Sequence, residues 1–154
     1  MAEDSEITVG YRREGEDIHH LLLGSDAVED IRIDYSGIPS DQRGGTASKL
    51  LCAAALYCFA STLASALNAR GARIESLTAR AVARKGRDDY YRTKLQDIRI
   101  EVDVDLDQED LPILEKCDKI MQRGCLITYS LTEGIEVEHA IRLSEPAESG
   151  TRVA

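Results

Sequence analysis

Residues 44–71 read GGTASKLLCAAALYCFASTLASALNARG, and this stretch decides how the rest of the chain can fold. Residues 50–69 carry no charge and are rich in alanine and leucine, which favour helices. Arg70 lies in the last turn of this pattern and Gly71 ends it, as is typical of a helix C-terminus. The sequence therefore predicts a long helix over residues 47–69. Because this helix is apolar around most of its circumference, we expect it to be central and to pack against its symmetry mate in a two-fold dimer.

The sequence before the helix predicts three short strands within residues 5–35. Apolar and polar residues alternate in the first and third of these segments, and the second is an apolar run over residues 18–23. Gly15 and the cluster at residues 24–26 supply the turns between them. Such short connections favour antiparallel pairing of the neighbouring strands.

A hairpin is predicted directly after the helix, with strands over residues 73–84 and 89–104 and a turn at residues 85–88. Apolar residues alternate in its second strand, which should therefore be half buried. Residues 47–100 carry ten basic and four acidic residues, a net charge of +6, although the rest of the chain is acidic. We expect the basic side chains near the hairpin tip to face solvent and to take no part in catalysis: Arg80, Arg84, Lys85, Arg87, Arg92 and Lys94.

Two helical segments and a strand complete the predicted fold. A helix runs from about Asp110 to Gly124, and a short turn or helix runs from Cys125 through Leu131. Alternating apolar residues predict a final strand, with Ile135, Val137, His139, Ile141 and Leu143 on one face.

This order of strands and helices predicts an α+β protein with a largely antiparallel sheet. We expect a single domain over residues 1–154, with an ordered core over about residues 5–143 and a polar tail over residues 144–154.

Charge and composition exclude several classes of function. Acidic residues outnumber basic ones 28 to 19 and the net charge is −9, so we expect no binding to nucleic acid. The first residues lack the basic and apolar regions of a secretory signal. The long apolar stretch is diluted by alanine and contains serine, threonine and asparagine, which argues against a membrane span. We therefore expect a cytoplasmic protein with no membrane partner.

The cysteines and histidines show none of the spacings of a metal site. The four cysteines form no CxxC pair and the three histidines are scattered, so we expect no metal. Gly44-Gly45-Thr46 lacks the lysine of a phosphate-binding loop, so we expect no nucleotide cofactor. His139 is predicted to be a core histidine on the final strand.

Two of the cysteines lie in settings that suit thiol chemistry. Cys58 lies inside the uncharged helix, where burial raises the pKa of a thiol unless a cation opposes it. Cys125 follows the glycine that ends a helix, and backbone amides at the next helix start could stabilise its thiolate. Cys52 points to a different face of the helix from Cys58, and Cys117 lies on an apolar stripe; we expect both to pack as small apolar residues.

On these residues the chain resembles the OsmC/Ohr family of thiol-dependent hydroperoxide reductases, over roughly residues 7–143. Residues 44–46 and the helix that leads to Cys58 are similar to the family's glycine–threonine loop, central helix and peroxidatic cysteine. Cys125, followed by Tyr-Ser-Leu at residues 129–131, is similar to its resolving-cysteine segment.

The resemblance implies an OsmC-like fold in which antiparallel sheets surround two central helices of an intertwined homodimer, with active sites at the subunit interface. It also implies that the Cys58 thiolate attacks a hydroperoxide and that the resulting sulfenic acid condenses with Cys125. A dithiol reductant would reopen the disulfide, and neither a metal nor an organic cofactor is needed.

The chain departs from the family pattern at two positions, which makes it a divergent member. Active members place a glutamate ten positions before the peroxidatic cysteine, where it orients an arginine, but this chain has Ser48 there. Leu126 replaces the proline that commonly follows the resolving cysteine. The candidates for the activating arginine are Arg12, Arg13 and Arg43, and the sequence does not choose among them.

Three functions follow as hypotheses. The first is a peroxidase that reduces organic or inorganic hydroperoxides through Cys58 and Cys125. The second is a dimer of the same fold that binds a hydrophobic small molecule without catalysis, which the missing glutamate favours. The third is a thiol redox sensor whose disulfide signals to a partner. The distance between the two thiols separates the first hypothesis from the second.

Overall fold

A computed structural model of the chain describes residues 4–144. The chain divides into two compact units between Leu50 and Leu51, within the long helix. Antiparallel strands and helices make up both units, which confirms the predicted α+β class.

The N-terminal unit contains a three-stranded antiparallel sheet in the order β1-β2-β3. The strands are β1 (Gly10–Glu14), β2 (Ile18–Leu22) and β3 (Ile31–Asp34). The three predicted strands are therefore confirmed, but β1 begins later than its alternating pattern suggested. The reason lies in the register: Gly10 pairs with Leu22, the last residue of β2, so earlier residues of the chain have no partner there.

The long helix α1 (Thr46–Ala69) is confirmed almost to the residue. Gly71 follows it with a φ of +84°, a conformation that glycine adopts without strain. Of its 24 residues, only Ala55, Leu63 and Leu67 are buried. The segment Ser40–Ala69 is long and apolar enough to cross a membrane by length and composition, and 17% of its most apolar window is buried inside the chain. The apolar surface of α1 thus needs more cover than this chain supplies.

A long hairpin follows, formed by β4 (Ile74–Arg87) and β5 (Thr93–Leu106). Its turn lies at residues 88–92 and not at residues 85–88, where it was predicted. The Asp88 carboxylate accepts hydrogen bonds from the backbone N–H groups of Tyr90 and Arg92, which fixes the later turn. The predicted half-burial of the second strand is confirmed, because alternate residues of β5 are partly buried and exposed.

Two helices complete the described fold of the C-terminal unit. Helix α2 (Leu111–Met121) ends before Gly124, and α3 (Leu126–Glu133) begins directly after Cys125. The core of this unit joins the end of α1 to α2 and one face of the hairpin. Its buried members are Leu63, Leu67, Ala72, Cys117 and Met121.

The predicted final strand is wrong for this single chain. Residues 134–144 form no strand, and Ile141 and Leu143 are 100% and 97% exposed. His139, predicted to be a core histidine, is exposed as well. A strand needs an edge to pair with, and none of the strands within residues 4–144 pairs with this segment. Of the predicted polar tail, residues 145–154 lie outside the described residues.

Candidate active site

Cys58 lies in the part of α1 that belongs to the C-terminal unit, and its side chain is half buried. The hydroxyl of Thr62 donates to the Cys58 carbonyl at 2.6 Å, which holds the helix backbone beside the thiol. Phe59, the next residue, lines an open groove of the same unit. The half-buried thiol therefore lies on the same helix as a residue that borders the groove.

Cys125 occupies the N-cap position of α3 and is 5% exposed. Its sulfur accepts a hydrogen bond from the backbone N–H of Thr128 at 3.5 Å. In return, the backbone N–H of Cys125 donates to the Thr128 hydroxyl oxygen at 2.9 Å. This reciprocal arrangement is a capping box in which a thiol replaces the usual hydroxyl or carboxylate.

The structure brings Cys58 and Cys125 together as two free thiols, close enough that each changes the pKa of the other. Burial raises the pKa of the Cys58 thiol, and the hydrogen bond that it donates to Cys125 raises this pKa further. Burial also acts to raise the pKa of Cys125, but hydrogen bonds from Cys58 and Thr128 outweigh it, so that the pKa of Cys125 is lowered. The contacts that Thr128 makes with the sulfur therefore favour the thiolate form of Cys125.

The other two cysteines take no part in this pair. Cys117 is 0% exposed and belongs to the core between α1 and α2, as expected of a small apolar residue. Cys52 is half buried on α1, six residues before Cys58.

The candidate arginines all lie in the N-terminal unit, as does Ser48 near the start of α1. Arg43 is held in place by three contacts. It forms an ion pair with Asp17 at 2.7 Å, donates to the Ile38 carbonyl at 2.6 Å, and lies over the ring of Tyr35. Its cation therefore braces the loop that precedes α1.

Arg12 and Arg13 lie on β1 and are exposed. Neither forms an ion pair with another residue within 4–144. Unlike Arg43, these two arginines are therefore not engaged in an ion pair within the described part of the chain.

Histidines contribute to the N-terminal sheet and not to the thiol pair. His20 contacts the Glu14 carboxylate at 2.6 Å, and His19 contacts the Tyr11 hydroxyl at 2.8 Å. Within the described part of the chain, no three His, Cys, Asp or Glu side chains cluster in a way that could hold a metal ion.

An open groove of about 990 Å³ lies beside the thiol pair in the C-terminal unit. Gly124 and Thr128 line one side of it and Phe59 lines another, so that it borders residues adjacent to both cysteines. Its walls contain both apolar and polar side chains, and the apolar ones include Leu63, Ile98, Ile100, Val102 and Met121. Four carboxylates and one basic residue also line it, namely Asp103, Glu115, Asp118, Glu133 and Arg123.

Thr128 is the site residue that the sequence interpretation missed. Its signal in the chain was weak, because a capping box usually has serine or threonine at the N-cap and glutamate or glutamine three positions later, where this chain has Cys125 and Thr128. The basic residues of the hairpin face solvent as predicted, and several of them pair with acidic residues of the same hairpin.

Comparison with known proteins bears on the fold. A family model described as OsmC-like protein matches residues 39–140. Among solved structures, the chain is similar to an OsmC-like protein of unknown function from Vibrio cholerae, with 17% identity, 82% of this chain and 94% of that chain covered, and a TM-score of 0.66. It is also similar to an organic hydroperoxide resistance protein from Elizabethkingia anophelis, with 16% identity, coverage of 83% and 91%, and a TM-score of 0.52. No curated protein matches the chain.

Proposed function

Because the chain belongs to the OsmC-like protein family, as a divergent member, we propose that it is a thiol-dependent peroxidase that reduces hydroperoxides through Cys58 and Cys125. The observation that carries the proposal is that these two cysteines are free thiols that lie close enough to change each other's pKa. When two thiols form a disulfide they release two electrons, which is the number that a hydroperoxide takes as it is reduced to an alcohol and water.

The proposed reaction has three steps. The Cys58 thiolate attacks one peroxide oxygen, the O–O bond breaks, and the departing alkoxide takes a proton to become an alcohol. The Cys125 thiolate then attacks the sulfur of the Cys58 sulfenic acid, and the hydroxide that leaves is protonated to water. A dithiol reductant finally reduces the disulfide and is itself oxidised to a disulfide.

Cys58 needs a cation to become the first nucleophile at neutral pH, because its burial and its bond to Cys125 both raise its pKa. We assign this role to Arg12 or Arg13 of β1 in a second copy of the chain. Arg43 suits the role less, since Asp17 and the Ile38 carbonyl already hold its guanidinium group.

We also propose that the chain acts as a homodimer. Most of α1 is not buried within the chain, and Tyr57 is 76% exposed on it. The alternating segment at residues 135–143 has strand-forming residues but no strand partner in the described chain. A second copy supplies both an apolar helix and free strand edges, whereas a membrane would supply no strand edge.

The groove beside the pair favours an organic hydroperoxide as the substrate. The apolar side chains in its walls suit an alkyl or aryl group, and four carboxylates against one basic residue disfavour an anionic substrate. A neutral hydroperoxide should therefore be reduced faster than a fatty-acid hydroperoxide.

Four free thiols fit a reducing compartment, so we propose the cytoplasm as the location.

The test is consumption of tert-butyl hydroperoxide with dithiothreitol as the reductant, together with mass spectrometry after one turnover without reductant. Cys58→Ser should abolish turnover, because a serine hydroxyl is hardly ionised at neutral pH. Cys125→Ser should accumulate Cys58 sulfenic acid, detected as a dimedone adduct on the peptide that contains Cys58. Cys52→Ala, a change on the same helix outside the pair, serves as the matched control and should keep parental activity.

Two other outcomes are informative. If Cys58→Ser consumes the hydroperoxide as fast as the parent, the peroxidase proposal fails, and the apolar side chains of the groove then support the alternative of a dimer that binds a hydrophobic small molecule. If the dimedone adduct forms on Cys125 in Cys58→Ser at the parental rate of oxidation, the order of attack proposed above is wrong. The redox-sensor hypothesis would require disulfide formation without catalytic turnover.

A further inference from the structure

The cap of α3 is unusual because its acceptor is a sulfur atom. Oxygen side chains at an N-cap stabilise a helix by about 1 kcal/mol, and sulfur is a weaker hydrogen-bond acceptor than oxygen. A neutral thiol at position 125 therefore caps the helix poorly. A thiolate at the same position accepts hydrogen bonds strongly, so this geometry benefits the charged form of Cys125.

Thr128 supplies two polar contacts to this sulfur. Its backbone N–H lies 3.5 Å from the Cys125 sulfur, and its hydroxyl oxygen lies 3.3 Å from the same atom. The hydroxyl oxygen already accepts the backbone N–H of Cys125, so its own proton is available to the sulfur. When Cys125 is a thiolate, the hydroxyl can act toward it only as a donor.

The absence of a side chain at Gly124 leaves room for this hydroxyl. A Cβ atom at residue 124 would lie 2.6 Å from the Thr128 hydroxyl oxygen, which is closer than such contacts allow. The φ of Gly124 is +83°, so the turn brings the two residues together in a conformation that other residues rarely adopt. The hydroxyl thus occupies a space that the chain leaves open between the end of α2 and the start of α3.

We propose that Thr128 is a positioning residue of the thiol pair, whose hydroxyl holds the Cys125 sulfur as a thiolate next to Cys58. The proposal rests on the proposed function, in which that thiolate acts twice. In the first instance it attacks the Cys58 sulfenic acid: the S–S bond forms, the S–O bond of Cys58 breaks, and hydroxide leaves as water after protonation.

In the second instance the same thiolate is the leaving group. A thiolate of the dithiol reductant attacks the Cys58 sulfur, and the bond to Cys125 breaks with its electrons on Cys125. A leaving thiolate of lower basicity leaves faster, so the contacts from Thr128 favour reduction at Cys58. The second thiol of the reductant then closes its own disulfide and releases Cys58.

The test compares Thr128→Val, which removes the hydroxyl but keeps the shape, with Thr128→Ser, which keeps the hydroxyl. Iodoacetamide alkylation is measured for each cysteine-containing peptide as a function of pH. In Thr128→Val the midpoint for Cys125 should rise by about one pH unit, the effect of losing one hydrogen bond to a charged group. In Thr128→Ser it should stay at the parental value.

A second measurement gives the rate at which Cys125 forms the disulfide with oxidised Cys58. Thr128→Val is followed from preformed Cys58 sulfenic acid, so that any effect on the substrate groove, which Thr128 also lines, does not enter the rate. The variant should then form the disulfide about tenfold more slowly, because less Cys125 is ionised near neutral pH. Thr132→Val is the matched control: its hydroxyl donates to the Thr128 carbonyl at 2.9 Å, one turn further along α3, and the Cys125 midpoint should not move.

An unchanged Cys125 midpoint in Thr128→Val overturns the proposal. Thr128→Ala, which removes the hydroxyl and keeps good helix propensity, answers the same question if the valine variant does not fold. If the midpoint shifts but the parent consumes no hydroperoxide, the positioning role of Thr128 stands and the peroxidase proposal fails. The two proposals therefore fail separately.

Discussion

Two glycines of this chain offer a controlled test of the Thr128 contact. Gly71 follows α1 with a φ of +84°, and Gly124 follows α2 with a φ of +83°. An added Cβ atom at Gly71 would meet nothing within 4 Å, whereas at Gly124 it would meet the Thr128 hydroxyl at 2.6 Å. Alanine at either position would have to adopt the same strained backbone conformation. Only in Gly124→Ala would the added Cβ atom also clash with another group.

The expected losses of stability follow from these contacts. Gly71→Ala forces an alanine into the left-handed region, which costs about 1–2 kcal/mol of unfolding free energy. Gly124→Ala has the same cost and also displaces the Thr128 hydroxyl from the Cys125 N–H. Losing that hydrogen bond adds about 1 kcal/mol, so we expect a loss of about 2–3 kcal/mol in total.

Urea denaturation measures these losses, and iodoacetamide alkylation of Cys125 as a function of pH measures the effect on the thiol. Gly124→Ala should move the alkylation midpoint to higher pH, since the displaced hydroxyl no longer donates to the sulfur. Gly71→Ala should leave the midpoint unchanged. Equal losses of stability in the two variants, with equal midpoints, would refute the view that Gly124 holds Thr128 against Cys125.

Two further predictions concern surfaces outside the thiol pair. Tyr57→Ala should change the unfolding free energy of an isolated chain by less than about 0.5 kcal/mol, because the side chain is exposed, but it should weaken the proposed dimer. Light scattering at several protein concentrations measures the dimer, and a parent that is monomeric and active at micromolar concentration would contradict it. Replacing Arg84 and Arg87 with glutamine should leave hydroperoxide consumption nearly unchanged, since both are exposed near the tip of the hairpin; a hundredfold loss would show that one of them is the cation of the site.

Local features of the fold could be predicted from the sequence because they depend on neighbouring residues. The uncharged run predicted α1, the alternation of apolar residues predicted β5, and the glycines predicted where helices end. The turn of the hairpin was misplaced because the Asp88 side chain, and not the glycine at position 86, organises it. Side-chain hydrogen bonds of this kind leave a weak mark on a sequence pattern.

The final strand shows the limit of periodicity. Residues 135–143 alternate as a strand should, but alternation predicts only which face would be buried. Whether a strand forms depends on an unpaired edge elsewhere, and the described chain pairs none of its edges with this segment.

By itself the sequence determined the α+β class, the long apolar helix and the two cysteines worth testing, because composition and spacing are local properties. Only the tertiary structure decided which groups surround each thiol. Cys58 and Cys125 lie 67 positions apart, and their pKa values depend on a contact between them that no local pattern records. The roles of Thr128 and Arg43 were likewise decided by the tertiary structure. The Thr128 hydroxyl contacts the Cys125 thiol, and the Asp17 carboxylate holds Arg43. Each role depends on which polar groups the folded chain places within hydrogen-bonding distance.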